Sequence, residues 1–462
     1  MQGTLFSLES NYTTKWYIFK NSTELGKLYD TIPWDELTKL LPEKKNPAGA
    51  PAWLPRQGYF GMMFLKHYTG LSDEKLLDSF HTDYAMQLFC GVLLEENEKI
   101  KNNSFVSGVR KYLSVFLDVN AFQKDMILNW KSAGDLQNTD ILMMDATCFE
   151  SYIRYPTDVK LTWECIDKIH TVFIPMFCKK YSLKLPQTVY KDKKKKYLGY
   201  SKCRKKGHRK TKRIRQTLLT YLEKSISTYK QLQSQVADYE IETKLIRLYT
   251  TIETVLKQQK QLLANPKEKV EDRIVSLHKS YLRPIVRGKE NKPVEFGMKA
   301  HLCQTDGINW LEYHSYSAFN ECNRLKTSIL SHEIMFEKCR KLAADNIYPI
   351  NANRKEVTEK GIQTNFPKKG PKETDKKKAR TNKKIRNELG KLRSTVLEGS
   401  FGNEKNNYKL GKIKALTEGT ELIWVVFGIF TANAVLISKR REAKAAKLKA
   451  QQLRQFSLKK AA

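Results

Sequence analysis

Acidic residues are scarce in this chain. Its 462 residues hold 49 Asp and Glu against 83 Lys and Arg, a formal net charge of +34. That excess repels itself in the compact state and speeds encounter with polyanions. It points to a nucleic-acid partner without choosing one, since an RNA-binding or ribosome-associated protein would show the same balance. Paired metal-ligand cysteines are missing too. The eight Cys, at 90, 148, 165, 178, 203, 303, 322 and 339, form no C-x-x-C pair, which suits the reduced thiols of a cytosolic protein. Cys203 and His208 lie in a basic stretch, but no second pair follows at finger spacing, so no zinc module is expected. Met1 to Tyr17 lacks the basic start and apolar centre of a secretory signal. No apolar run reaches the roughly 20 residues of a membrane span. The longest, Ile423 to Ile437, contains Thr431 and Asn433 and reads as a buried helix.

What the chain has is length and apolar content: 462 residues, 40% of them hydrophobic, support two or three domains with packed cores. Among its few acids, three occupy suggestive local settings. Asp145 follows the apolar run Ile141 to Met144 and reads as a carboxylate delivered near the end of a buried strand. Asp345 follows Leu342, Ala343 and Ala344 in the same manner. Glu398 lies within a pattern of helical spacing (Ser394, Val396, Leu397, Phe401, Lys405, Tyr408), so its carboxylate is expected from a helix face. Hard divalent cations prefer oxygen donors, and a pair of them can activate an attacking oxygen while stabilising a leaving one in phosphodiester chemistry. Three carboxylates suffice for that, with no Cys or His ligand.

Along the chain, the first 130 residues are apolar, aromatic and helix-rich. Ser72, Asp73 and Glu74 predict one helix start, and Thr82 with Asp83 predicts another. Short helices with tight links suit a helix-turn-helix-like DNA reader, with Arg110 and Lys111 as candidate contacts or as part of an ordinary exposed helix face. The run from Lys191 to Arg215 is densely cationic, with Tyr190, Tyr197 and Tyr200 interleaved, a composition for phosphate contact and base stacking or for a solvated linker. Leu218 through Val255 repeats at three- and four-residue steps, predicting one long helix or a helical hairpin that ends at Asn265 and Pro266. Ile274 to Leu277, Val294 to Leu302 and Ile308 to His314 read as strands, the last two joined by a turn at Thr305, Asp306 and Gly307. That assigns Asp306 to a hairpin. Asn323 to Lys341 is helix-like. Lys368 to Arg393 is a second cationic run and reads as a flexible arm. The tail from Lys439 reads as an exposed helix.

Several stretches of this sequence are similar to bacterial insertion-sequence transposases of the DDE type, in the group with an InsH-like N-terminal region. They are YDTIPWDEL (29–37), GYFGMMFLKHYTGLSDEKLLDSFHTDYAMQLFCG (58–91), MMDATCFESYIRYPTDVKL (143–161), RPIVRGKENKPVEFGMKAHL (283–302), ADNIYPINANR (344–354) and LEGSFGNEKNNY (397–408). The resemblance runs from about Tyr29 to Ile437. It implies a ribonuclease H-like α/β core, a mixed sheet flanked by helices, with Asp145, Asp345 and Glu398 as catalytic metal ligands. It also implies a catalytic Lys, matched by Lys405, and an upstream Arg, whose slot holds Ser394 with Arg393 beside it. The expected organisation is a helical DNA-binding domain at 1–130, a catalytic core at 131–182 and 270–437, and a basic, long-helix insertion at 183–269. A basic arm at 366–393 and a basic helical tail at 438–462 complete it.

The function this resemblance implies is cleavage of double-stranded DNA at terminal inverted repeats and strand transfer into target DNA. Two Mg²⁺ are the expected cofactors, with Mn²⁺ as their substitute. A homo-oligomer assembled on DNA in the cytoplasm, at the nucleoid and away from membranes, is the expected setting. Two other readings stay open: a structure-specific nuclease on the same core, and a catalytically inactive basic DNA-binding protein. A tyrosine recombinase using Tyr152, Tyr155 or Tyr408 lacks its Arg/His context.

Overall fold

The computed structural model describes residues 8–43, 53–95, 98–286, 293–370 and 375–461. Residues 287–292 of the fourth similar stretch and residues 371–374 of the second cationic run lie outside the described residues. The chain divides into two compact units, one of residues 1–152, 298–315 and 319–462, the other of residues 153–297 and 316–318.

Among the described residues the first unit opens with eight helices: α1 (Leu8–Ser22), α2 (Glu24–Tyr29), α3 (Trp34–Lys39), α4 (Arg56–Thr69), α5 (Asp73–Thr82), α6 (Tyr84–Phe89), α7 (Phe105–Phe116) and α8 (Val119–Ser132). Side-chain caps set several of their starts. Ser72 Oγ accepts from the Lys75 amide at 3.2 Å, and Asp83 Oδ1 accepts from the amides of Ala85 and Met86. Each cap satisfies N–H groups that the first turn leaves without helical partners. Arg110 fits neither reading, DNA contact or exposed helix face. Arg110 is buried, forks onto both oxygens of Asp73 at 3.1 Å and lies 4.7 Å from the Trp424 ring. An arginine so enclosed is held by its own protein, whereas Lys111 is exposed. The strand β1 (Ile141–Glu150) follows.

The second unit contains α9 (Asp158–Lys168), a π turn (Ile169–Phe173), α10 (Ile174–Lys180), α11 (Tyr190–Lys202), α12 (His208–Gln233), α13 (Thr243–Ala264), and a ribbon of β2 (Ile285–Val286) antiparallel to β3 (Val294–Glu295). The helical repeat thus resolves as a hairpin, and α13 ends before Asn265 as the sequence predicts. Trp163, Ile166, Phe173, Phe177, Leu222, Tyr229 and Val255 share its core. The expected core boundaries at 182 and 270 both fall inside this unit, because α9 packs on α12 and α13. Ile274 to Leu277 is no strand. Its side chains are buried, but the Ile274 amide donates to Gln258 Oε1 at 3.0 Å, so a side chain supplies the partner that a ladder would have given. The interleaved tyrosines also differ from expectation. Tyr190 and Tyr197 stack on Trp163 at 5.7 and 4.8 Å, and Tyr200 is buried with its hydroxyl 2.9 Å from that of Thr211.

The first unit then resumes with β4 (Gly297–Thr305), β5 (Ile308–Ser315), α14 (Leu325–Met335), β6 (Lys341–Ala343), α15 (Asn351–Glu359), β7 (Gln363–Thr364), α16 (Lys376–Leu392), a second π turn (Arg393–Leu397), α17 (Glu398–Asn407) and α18 (Glu418–Ala461). The sheet runs β5-β4-β1-β6-β7. β4 and β5 form an antiparallel hairpin, while β1, β6 and β7 are parallel. Asp306 and Gly307 make the hairpin turn with φ of 48° and 78°, the left-handed pair that a two-residue hairpin requires. Arg440 braces that turn by donating to the Asp306 backbone oxygen at 2.7 Å. The second cationic run is helical from Lys376 rather than a loose arm. Asp375 caps it by accepting from the Lys377 and Lys378 amides, and lysine and arginine are good helix formers. The apolar run at 423–437 lies within α18, which is long and apolar enough to cross a membrane but buries most of its apolar window in this unit. Phe427 meets Phe64 at 5.3 Å and Phe122 at 4.9 Å, and Phe430 lies 6.0 Å from Trp130. Such ring pairs add to simple area burial.

Candidate active site

Strand register sets the first two acids side by side. Met143 on β1 pairs with Ala343 on β6, the last pair of a parallel ladder. Two residues further on, Asp145 and Asp345 follow in the same phase, and neighbouring strands lie about 4.8 Å apart. Asp345 begins a loop that is pinned at both ends. Asn365 brackets Ala344, accepting from its amide at 3.1 Å and donating to its oxygen at 2.8 Å, and Asn353 Nδ2 donates to the Tyr348 oxygen at 2.8 Å. Beneath the loop, the Tyr348 hydroxyl lies 2.8 Å from His301 Nε2, and His301 Nδ1 lies 2.9 Å from Glu312.

The third acid comes from the start of α17, and the turn before it fixes what it meets. In an ordinary α-helix, residues four apart share a face, whereas Arg393 and Glu398 are five apart. The π turn removes the mismatch: the Glu398 amide bonds to the Arg393 oxygen, an i to i+5 closure that brings the two side chains into line. The Arg393 guanidinium then reaches all three acids. Nη1 lies 3.0 Å from Asp145 Oδ2, and Nη2 lies 3.1 Å from Glu398 Oε1 and 3.6 Å from Asp345 Oδ1. Asp345 and Glu398 are half exposed, at 48% and 50%, while Asp145 retains 18% of its side-chain surface.

Asp145 is the most enclosed of the three acids. Burial pushes the Asp145 carboxyl up to about 6, with Asp345 and Glu321 adding to the rise, while the Ala146 amide and Arg393 oppose it. Its Oδ1 accepts from the Ala146 amide at 2.7 Å. Lys405 stands on the last turn of α17, where its ammonium donates to Thr147 Oγ1 at 2.7 Å and lies 5.7 Å from the Phe149 ring. Thr147 follows Asp145 by two residues and so lies on the same face of β1. Lys405 is therefore anchored on the face of the strand that carries the first acid.

The arrangement can hold positive charge among three oxygen donors drawn from distant parts of the chain. Among the described residues, no three acidic, histidine or cysteine side chains are already drawn together as a metal cage. A guanidinium stands between the acids instead. The donors are all oxygen and their charge exceeds that of Arg393 alone, a chemistry that fits a hard divalent ion once the arginine yields.

Two participants escaped the sequence. Arg393 was legible only as a neighbour of the expected slot, since helical spacing places Ser394, not Arg393, over Glu398. Glu404 gave no signal at all. It is buried on α17 and accepts from Asn309 Nδ2 at 2.5 Å. Asn309 also donates to Ser400 Oγ at 2.8 Å, and Asn433 of α18 brackets the Asn309 backbone. This network ties the Glu398 helix to the β4–β5 hairpin and to α18.

Residues 17–111 match a family described as a transposase domain (DUF772), which supports a transposase and a role in transposition. No curated protein and no solved structure matches the chain.

Proposed function

We propose that this chain is a DDE transposase that cuts double-stranded DNA at the ends of an insertion sequence and joins those ends to target DNA. The observation that carries this reading is the meeting of Asp145, Asp345 and Glu398 on the Arg393 guanidinium. The transposase-domain match at 17–111 supports it, as does the mixed sheet, with Asp145 on β1 and Asp345 just beyond the end of the neighbouring parallel strand β6. The sheet and its flanking helices are taken as a core of ribonuclease H type.

Asp145, Asp345 and Glu398 would hold Mg²⁺ or Mn²⁺, two ions in all. Such ions supply activation of the attacking oxygen and charge stabilisation on the leaving one. The protein's own groups do the rest. Arg393, once its place among the acids is taken, turns to a DNA phosphate, for which a guanidinium fork is well shaped. Lys405, held by Thr147, adds positive charge along the same face. Water attacks phosphorus in the first step and the 3′ oxygen leaves. The freed 3′-hydroxyl then takes the water's place, so hydrolysis and strand transfer share one site without a protein–DNA bond. The setting is a homo-oligomer on DNA in the cytoplasm, beside the nucleoid.

Incubation of the protein with Mg²⁺ and a supercoiled plasmid carrying the candidate terminal repeats tests this. A transposase gives end-specific nicks and joined products. Nicks without joining identify a nuclease, and retarded bands alone identify a DNA binder. Asp145→Asn is expected to keep DNA binding and lower cutting by several orders of magnitude. Cutting by that variant at the wild-type rate removes Asp145 from the site.

A further inference from the structure

The second unit carries a surface whose charge the candidate active site does not use. Helices α11 and α12 run antiparallel: Tyr200 meets Thr211, and the Lys193 ammonium lies 5.6 Å from the Tyr221 ring. Between residues 191 and 215 the chain has fourteen Lys and Arg and a single acid, Asp192. Twelve of the fourteen are exposed. None of those twelve pairs with a carboxylate of a described residue; the ion pair in this stretch is that of the half-buried Arg215 with Asp158. Lys191, Lys194 and Lys195 on α11, and Arg209, Lys212 and Arg213 on α12, repeat at three- and four-residue steps, so each helix presents a charged stripe. Lys205 and Lys206 crown the loop between them.

The aromatic residues decide which polyanion fits. Binding of a single strand needs free ring faces on which bases stack. Here Tyr190 stacks on both Trp163 and His170, Tyr197 gives one face to Trp163, Tyr200 is buried, and the Tyr190 hydroxyl donates to Asp167 at 2.5 Å. What remains on the outside is chiefly charge, twelve exposed Lys and Arg against one half-buried tyrosine face and His208. We propose that the α11–α12 hairpin binds the phosphate backbone of duplex DNA, independently of sequence. This deepens the transposase reading, on which the choice of DNA as the polyanion rests.

The test uses the full chain, a 30-base-pair DNA duplex unrelated to any terminal repeat, the single strand of the same sequence, and the corresponding RNA duplex. A variant with Lys194, Lys195, Lys205 and Lys206 all changed to Gln alters exposed side chains alone and is expected to melt like the wild type. Each lost phosphate contact lowers the slope of log affinity against log salt by about 0.9. The fourfold variant should therefore lose about 3 to 4 from the wild-type slope and bind the DNA duplex at least about tenfold more weakly at 0.1 M salt. An unchanged slope and affinity overturn the proposal, as does tighter wild-type binding to the single strand or to the RNA duplex. Asp145→Asn run alongside separates the two readings. A slope lost on hairpin substitution in a protein that never cuts DNA sinks the catalytic reading and leaves this one standing. Cutting with an unaltered slope does the reverse.

Discussion

Glu404 shows how a residue with no local signature can govern the site's foundations. Burial pushes its carboxyl up to about 7 from the ordinary 4.5, against the opposing pull of Asn309 and Lys405, and its Oε2 has no hydrogen-bond partner among the described residues. A carboxyl whose pKa is higher in the folded state keeps its proton longer there. Its contribution to stability is therefore greatest below about pH 4.5 and falls as pH climbs toward about 7. Glu404→Gln retains an oxygen for Asn309 and cannot ionise. It is expected to melt like the wild type near pH 4.5 and to be more stable at pH 8, by at most about 3 kcal/mol. Thermal denaturation at both pH values measures this, and coincident melting curves at pH 8 would remove Glu404 as the titrating group. The contrast with the three candidate acids is physical. Asp145, Asp345 and Glu398 stand beside apolar runs and within similar stretches, so their positions can be singled out from the chain alone. Glu404 depends on Asn309, Ser400 and Asn433, whose approach is purely tertiary.

Elements were legible where a local signal set them. Ser72 and Asp83 cap the helices they predict, the Thr305–Gly307 turn closes its hairpin, and the apolar repeat after Leu218 becomes two helices. They were misread where a distant side chain took over, as Gln258 does for Ile274. The π turn at Arg393–Leu397 belongs to a third kind, a helical segment with one residue more than an α turn holds. Removing Thr395, which is exposed, would leave Arg393 four residues ahead of the glutamate, and an ordinary α turn would still place them together. A Thr395 deletion is thus expected to nick DNA within about tenfold of the wild type, whereas deleting Asn403 turns Lys405 about 100° away from Glu398 and should abolish nicking. Loss of nicking in both deletions would show that the π turn is not a spacing device.

At the scale of the whole molecule, the charge excess was plain from composition, but its partition was not. Sequence periodicity placed the basic run in an insertion, yet it could not show that α9 and α10 join that insertion, since their partners lie some 50 residues away on α12. The same non-locality governs the part of the chain recognised as a transposase domain. Residues 17–111 contain α4 and the first part of α7, whose inner faces close against α18: Phe60 and Phe64 meet Phe427, His67 meets the Trp424 ring at 5.4 Å, and Arg110 lies against that ring. The stretch that sequence comparison matches therefore closes part of its aromatic face only with residues from outside it. Expressed as an isolated fragment, residues 17–111 would present an uncovered aromatic trough, and near-ultraviolet circular dichroism should find no cooperative melting transition. A sharp transition would show that the fragment is autonomous. Without it, recombining this region between proteins requires that the matching C-terminal helix travel with it.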